Sequence, residues 1–272
     1  MTNQTSMKSI IQLVVFSLAI ATFFSCKPEQ KETPKEENKT EDIKTEKLSE
    51  GEVIINSAIL AHGGELYDKA SYTFVFRNRQ YSFTNKDNLY RYFVIKQNDK
   101  KEEVIDVLDN GNFSRTINGK KLDLNEEDAS RYGESLNSVI YFATLPYKLK
   151  DKAVNKTYVG EVTIKNENYN VVEVTFKQEG GGKDFEDQYY YWVNKKSNTV
   201  DYLAYNYKVN GGGVRFRSSY NRRNIGGIIF QDYINYKAEV GTPLSELPSL
   251  YENDKLKEVS RIDTENVEIL KY

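Results

Sequence analysis

The residue with the most distinctive chemical setting in this sequence is Cys26, the only cysteine of the chain. It follows Ser25 and an apolar run from Ile10 to Phe24, and Lys8 precedes that run. A short basic segment, an apolar segment and a small residue at the cleavage point are typical of a secretory signal peptide. The run is shorter than the roughly 20 apolar residues of a membrane-spanning helix.

A thiol directly after such a cleavage point indicates lipid attachment. A diacylglyceryl group would alkylate Cys26, the peptide would be cut before it, and the new N-terminus would be acylated. Two or three acyl chains hold a protein durably on a membrane, whereas one does so only marginally. The sequence therefore predicts a lipoprotein signal peptide over residues 1–25 with Cys26 as the lipid attachment site. An ordinary signal peptide with an incidental cysteine is the alternative.

The segment behind the cysteine differs sharply in composition from the rest of the chain. Residues 26–50 are rich in lysine and glutamate and nearly free of apolar side chains, so they cannot bury enough surface to offset the entropy of ordering. They are predicted to form a disordered tether ahead of one domain at residues 51–272. Lys27 replaces the aspartate that serves as an inner-membrane retention cue, so we expect an outer-membrane anchor, on the periplasmic side or at the cell surface.

Composition excludes several classes of function. The formal net charge is −2, so no global field favours nucleic acid as a partner. With a single cysteine and a single histidine, no cluster suited to zinc, iron or copper exists, and no cofactor is expected. No GxSxG, HExxH or glycine-rich phosphate motif occurs. A non-enzymatic role is predicted. The paired carboxylates of a glycosidase are the alternative that the pattern leaves open, because the many acidic residues offer pairs and nothing selects one.

Two further groups of residues could be given a functional role, but each has a simpler structural interpretation. His62 ends the first predicted helix, where a histidine usually interacts with the terminal carbonyls and the helix dipole. Arg215 and Arg217 lie on one face of a predicted strand, but the neighbouring acidic residues favour a solvated charged face over a nucleic-acid stripe.

Hydrophobic periodicity indicates a mainly β (α+β) domain. Helices are predicted over Gly51–His62 and from a capping pair at Asp123 and Glu126 to about Phe142. Asn110-Gly111 and Asn118-Gly119 are strong hairpin-turn signals. About eleven antiparallel strands are predicted, within residues 71–83, 89–96, 103–108, 113–117, 157–165, 169–177, 188–194, 199–209, 214–223, 228–238 and 259–270.

Aromatic residues are unusually frequent, with 21 Tyr and 13 Phe. In the stretch from Tyr189 to Trp192 they occupy consecutive positions, so neither face of that strand is fully polar. One interpretation is a packed core with amphipathic tyrosines on the outside; the other is a face that lines an open apolar cavity.

Several segments resemble a Bacteroidota lipoprotein family of unknown function. They are Ala61 to Gly64, Tyr141 to Asp151, Val171 to Phe176, Tyr190 to Asn194, and Gly226 to Ile228 with Asp232-Tyr233. The resemblance spans about residues 51–238 and implies a fold similar to the LolA and LolB lipoprotein carriers. In that fold a single curved antiparallel sheet, a half-barrel, surrounds two or three helices over an apolar cavity. Binding of a lipid or a lipidated protein is what the resemblance implies.

The leading hypothesis is a lipid-anchored, exported, non-enzymatic half-barrel that binds a hydrophobic ligand such as a lipid or acyl chain. The alternative is an envelope module that docks a protein or glycan through an aromatic face. Assigning the ligand wall depends on strand phase, because a one-residue shift reverses the faces. The predicted ligand-binding residues are Phe74, Phe76, Ile140, Phe142, Phe176, Tyr190 and Trp192.

Overall fold

A computed structural model of the protein describes residues 47–179, 187–208 and 211–271. Cys26, the signal peptide and nearly all of the predicted tether lie outside the described residues. Three α-helices are described: Glu50–Ala61 (α1), Glu126–Ala143 (α2) and Leu247–Glu252 (α3). The strands are Ser71–Phe76 (β1), Arg79–Lys86 (β2), Leu89–Gln97 (β3), Glu103–Asp109 (β4), Asn112–Ile117 (β5), Lys120–Lys121 (β6), Val154–Ile164 (β7), Glu167–Phe176 (β8), Tyr189–Asn194 (β9), Val200–Tyr207 (β10), Gly213–Ile225 (β11), Ile228–Ala238 (β12), Lys257–Ile262 (β13) and Glu265–Ile269 (β14).

The strands form two antiparallel sheets of seven. The first has the order β14-β1-β2-β3-β4-β5-β6, and the second has the order β13-β12-β11-β10-β9-β8-β7. The predicted mainly β class with a few helices is confirmed. The single sheet of about eleven strands is replaced by two sheets, because β13 pairs with β12 while β14 pairs with β1.

Tight turns between neighbouring strands account for part of the larger strand number. Asn110-Gly111 and Asn118-Gly119 have positive φ, as predicted for hairpin turns. Arg77-Asn78 adopts the same left-handed geometry, with φ of 49° and 58°. The sequence predicted one long strand here, and this turn divides it into β1 and β2. Asparagine adopts the left-handed conformation more readily than most residues other than glycine.

Helix α1 begins with a reciprocal capping box at its N-terminus, and it packs against the second sheet. The Ser49 hydroxyl accepts a hydrogen bond from the Glu52 amide, and the Glu52 carboxylate accepts one from the Ser49 amide. This reciprocal pair satisfies amides that would otherwise lack a partner. The helix lies on β7, β8 and β9, and Gly51 allows the close approach: a Cβ there would lie 2.5 Å from the Lys156 carbonyl oxygen.

Helix α2 packs against the first sheet, on β3, β4 and β5. Its N-cap is Asn125, whose side chain accepts from the Asp128 amide at 2.8 Å. The capping pair predicted at Asp123 and Glu126 was therefore placed two residues too early. Leu136 and Ile140 are buried on the sheet side of the helix, spaced as one helical face requires.

The turn from β13 to β14 ties the two sheets together through Asp232. This carboxylate is 2 % exposed and accepts hydrogen bonds from Arg223, from Asn221 and from the backbone amide of Thr264. Thr264 lies in the turn itself. A buried ion pair with further hydrogen bonds thus holds the point where the chain passes from the second sheet to the first.

Apolar side chains form two clusters, one on each face of the second sheet. The inner cluster joins both sheets, α1 and α2, and it contains Tyr189 and Tyr191. The outer cluster contains Trp192 and is covered by residues 244–251, which include most of α3, with Tyr190 packed against it. Tyr190 and Trp192 therefore lie on the face opposite to the one predicted, because the strand phase was one residue off. This cover lies in the segment between Gly241 and Lys257, for which the sequence predicted no strand.

Candidate ligand-binding cavity

A cavity of about 260 Å³ lies between the C-terminal half of α2 and the inner faces of β1 and β10 to β13. Its lining is divided by chemistry into an apolar wall and a polar side. The apolar wall consists of Phe74, Phe76, Val139, Phe142, Ala143 and Ile262. The polar side consists of Arg77, Ser138, Tyr205, Arg217, Gln231, Tyr233, Asn235 and Thr264.

The apolar wall is formed mainly by one face of strand β1 and one face of helix α2. Phe74 and Phe76 are two residues apart on β1, so both point to the same face of the first sheet. Val139, Phe142 and Ala143 are spaced three and four residues apart on α2, which places them on one face of the helix. Phe142 also reaches the second sheet, where its ring lies 5.9 Å from that of Tyr205. The cavity is therefore formed by elements from distant parts of the chain.

Arg217 dominates the polar side. Arg217 is only 7 % exposed, and its Nη2 donates a hydrogen bond to the Tyr205 hydroxyl at 3.0 Å. The guanidinium carbon lies 4.1 Å from the centroid of the Phe142 ring, a cation–π distance. Its Nε and Nη1 are buried without a hydrogen-bond partner in the described part of the chain.

A short hydrogen-bond chain positions the neighbouring polar groups. The Gln231 amide donates to the Val200 carbonyl at 2.8 Å and to the Tyr233 hydroxyl at 2.6 Å. Burial raises the pKa of Tyr233, so its phenol is neutral at physiological pH. Asn235 pairs with Arg217 across the strands, and its side-chain oxygen is also buried without a partner. This side of the cavity therefore offers both donors and an acceptor to a ligand.

The structure brings together three of the predicted ligand-binding residues, since Phe74, Phe76 and Phe142 all line the cavity. Ile140 is fully buried in the inner cluster, on the face of α2 that packs against the first sheet. Phe176 packs edge-on against Tyr189 at 5.6 Å, outside the cavity lining.

The other two predicted wall residues are separated from the cavity by the sheet itself. Trp192 is 1 % exposed and packs against Phe216 at 5.6 Å, and Tyr190 lies beside it. Both faces of β9 carry large aromatic side chains, so their alternation alone did not identify the inner face.

Arg217 was missed as a site residue because charged residues on a strand usually mark a solvated face. Its neighbours along β11 do not reveal its burial. Val214, Phe216 and Ser218 alternate with it and are buried on the outer face. A strand whose one face is apolar and covered can still have its other face inside the protein when a second layer lies there.

His62 has a structural position. It is fully buried, and its Nε2 accepts a hydrogen bond from the Val200 amide at 3.1 Å, so it joins the end of α1 to β10. Burial, together with the nearby positive charge of Arg222, lowers the pKa of His62 to about 3. The imidazole is therefore neutral at physiological pH, and its partner is a strand amide where the sequence suggested helix carbonyls.

Within residues 47–179, 187–208 and 211–271, no three His, Cys, Asp or Glu side chains are arranged to hold a metal ion. In those same residues, no helix has the length and apolar character needed to cross a membrane.

Fold and cavity define a mainly β protein with a partly open, amphipathic cavity beneath a helix. The sequence matches the model of a family described as "Family of unknown function (DUF6503)" over residues 45–264, and the chain belongs to that family. No curated protein matches the sequence.

Two solved structures are similar to this chain at low sequence identity. A LolA superfamily protein from Nitrosomonas europaea aligns with 11 % identity and a TM-score of 0.46, covering 83 % of this chain and 96 % of the other. A DUF1329 family protein from Desulfovibrio piger aligns with 11 % identity and a TM-score of 0.41, covering 82 % and 94 %.

Proposed function

We propose that this protein is an exported lipoprotein that binds one hydrophobic ligand, a lipid or an acyl chain, in the cavity beneath α2. The observation that carries the proposal is the cavity wall of Phe74, Phe76 and Phe142 together with Val139 and Ile262. Ligand sites are typically concave and mostly apolar, with a few polar groups that set orientation. The cavity combines an apolar wall of this kind with a polar side that can orient a ligand.

The anchoring part of the proposal rests on Cys26 and the apolar run before it. Acyl groups on that cysteine would hold the domain at the outer membrane, on its periplasmic side or at the cell surface. The membrane is then the first partner, and a lipid or lipidated protein is the second. The binding role needs no cofactor and no catalytic group.

Docking of a protein or glycan through the aromatic face receives less support. The aromatic side chains of the outer face are covered by residues 244–251, and Trp192 is 1 % exposed. A buried face cannot serve as a docking surface unless its cover is removed.

Native mass spectrometry of the protein purified from its own membrane tests ligand binding. We expect a co-purifying species with the mass of a lipid or acyl compound, and an added acyl ligand should shift the mass at one-to-one stoichiometry. Absence of both signals would contradict the proposal.

A pair of variants on one helix ties such a signal to the cavity. Ala143→Phe puts a ring into the cavity and should abolish ligand binding, because the space is filled. Ser135→Phe introduces the same side chain at an exposed position of α2 outside the cavity lining and should leave binding unchanged. Equal binding by both variants would place the ligand elsewhere.

Anchoring is tested by fractionation of a Cys26→Ser variant. We expect the wild type in the membrane fraction and the variant retained in unprocessed form or released from the membrane. Firm membrane association of the variant at the normal processed size would refute lipid attachment at this residue.

A further inference from the structure

We propose that Arg217 binds the headgroup of the ligand, and that the ligand is a single-chain amphiphile with an anionic carboxylate or phosphate group. This inference rests on the proposed function, because it assigns the chemistry of the ligand in the same cavity. The observation behind it is a buried guanidinium that lacks an acidic partner beside an apolar wall.

Arg217 is an unusual residue for the inside of a protein. Arginine is almost never fully buried unless it is paired, and an uncompensated buried charge is costly. In the described residues, every ion pair involves other side chains, and Arg217 has only the Tyr205 hydroxyl as a hydrogen-bond partner. Its Nε and Nη1 have none. A group left in this state calls for an explanation, and a ligand anion supplies one.

The surroundings of Arg217 are electrostatically one-sided. The described residues that line the cavity include two arginines and no aspartate or glutamate. The second arginine, Arg77, is exposed in the β1–β2 turn and lies over the ring of Phe76 at 4.9 Å. An anion entering the cavity would meet positive charge at the outside and again at Arg217. Guanidinium groups bind carboxylates and phosphates with strong, charge-assisted hydrogen bonds.

The contact between Arg217 and Phe142 is compatible with a bound anion. The aromatic ring occupies the flat face of the guanidinium, 4.1 Å from its central carbon. The N–H groups of a guanidinium lie in its plane, so stacking on an aromatic ring and hydrogen bonding to an acceptor can occur together. Phe142 is thus the point where the apolar wall and the headgroup site meet.

The size of the cavity restricts the apolar part of the ligand. Its volume of about 260 Å³ lies just below the range of roughly 300–1,000 Å³ that holds drug-sized ligands. One short acyl chain fits this space better than two long ones. Octanoate and monooctyl phosphate are therefore suitable probes.

The experiment compares these two anions with octanamide, which has the shape of octanoate without its charge. Dissociation constants are measured by native mass spectrometry on the processed full chain released from maltoside micelles. We expect the anions to bind about 10- to 100-fold more tightly than octanamide, the gain of a charged hydrogen bond or two. Acetate and inorganic phosphate, which lack the chain, should bind far more weakly.

Two arginine variants on one strand locate the effect. Arg217→Met should remove the preference for the anions over octanamide. Arg215→Met is the matched control: Arg215 lies on the same face of β11 and also donates to a tyrosine hydroxyl, that of Tyr207, but it is outside the cavity lining. Its removal should leave the preference intact. If Arg217→Met does not fold, the wild-type comparison of octanoate with octanamide decides by itself.

The remaining outcomes separate the two proposals. Equal binding of octanoate and octanamide would overturn the headgroup assignment and leave an apolar ligand site. Binding of acetate or phosphate as tight as that of the octyl compounds would overturn the amphiphile in favour of a small-anion site. If none of the octyl compounds binds, the headgroup assignment falls together with the proposed function.

Discussion

The guanidinium of Arg217 lies over the ring of Phe142, 4.1 Å from its centroid, and joins the second sheet to helix α2 across the cavity. One residue comes from β11 and the other from the last turns of α2, so the contact exists only in the folded protein. It brings a buried charge and an apolar wall to one place, which is the arrangement an amphiphilic ligand requires.

The first prediction concerns the cost of this charge to the ligand-free protein. Arg217→Met should raise the free energy of unfolding by about 1–3 kcal/mol, because a buried cation without an acidic partner is replaced by an apolar side chain of similar length. Urea denaturation of the ligand-free protein measures the change. Arg215→Met, at a half-buried position, should shift stability by no more than about 0.5 kcal/mol.

A lower unfolding midpoint for Arg217→Met than for the wild type would contradict this prediction. A gain in stability that accompanies the loss of ligand binding would be an example of the usual trade-off between stability and function at binding sites.

The second prediction uses Trp192, the only tryptophan of the chain, as a reporter of the outer cluster. Filling the cavity with octanoate should leave its emission maximum unchanged, because the sheet separates this side chain from the cavity. Tyr251→Ala should shift the emission to the red, since the Tyr251 ring packs on Phe216 and Tyr202, which surround the indole. Fluorescence spectra of both samples test the assignment.

A ligand-induced shift of the Trp192 emission in the wild type would contradict this prediction, because it would indicate binding on the outer face of the second sheet. The Tyr251→Ala variant should also lose about 1–3 kcal/mol of stability, because it removes a partly buried ring from the cover of the outer cluster.

The third prediction is that the folding stability depends on pH through the protonation of His62. Because burial lowers the pKa of His62 to about 3, the unfolded chain binds a proton at this residue more readily than the folded protein. Stability should therefore fall as the pH decreases from about 6.5 to about 3, by up to ~1.4 kcal/mol per pH unit from this group. Denaturation midpoints measured along a pH series report the slope.

His62→Gln keeps an acceptor near the Val200 amide and cannot be protonated, so the slope above pH 5 should largely disappear in this variant. An unchanged slope would assign the acid sensitivity to other groups.

The fourth prediction concerns the link between the sheets at Asp232. Burial tends to raise the pKa of Asp232, but hydrogen bonds from Arg223 and Thr264 outweigh it and the pKa is lowered. Asp232→Asn should cost about 2–3 kcal/mol of stability, less than the ~3–5 kcal/mol of a fully buried pair because Arg223 keeps 25 % of its side chain exposed. Urea denaturation measures the loss.

Asp109→Asn is the matched control, since Asp109 pairs with Arg91 on the surface of the first sheet. An exposed pair of this kind contributes about 0–1 kcal/mol. Equal losses in the two variants would mean that the β13–β14 turn is held by something other than Asp232.

Local features of the sequence were sufficient to predict much of the fold. The Asn-Gly pairs at 110–111 and 118–119 determine hairpin turns, because few other residues adopt positive φ at low cost. Ser49 and Glu52 with the glycines after His62 delimit α1. The mainly β class follows from strands with period-two alternation. In β1 that alternation also assigned Phe74 and Phe76 to one face, and both line the cavity.

Only the tertiary structure decided which face of the second sheet is the inner one. Alternation identifies a buried face when the opposite face is polar, and β9 to β11 carry large side chains on both. The inner face is covered by helices and the first sheet, and the outer face is covered by α3 and the residues before it. Long-range packing therefore placed Trp192 outside and Arg217 inside, because neither position is specified by any residue near it in the chain.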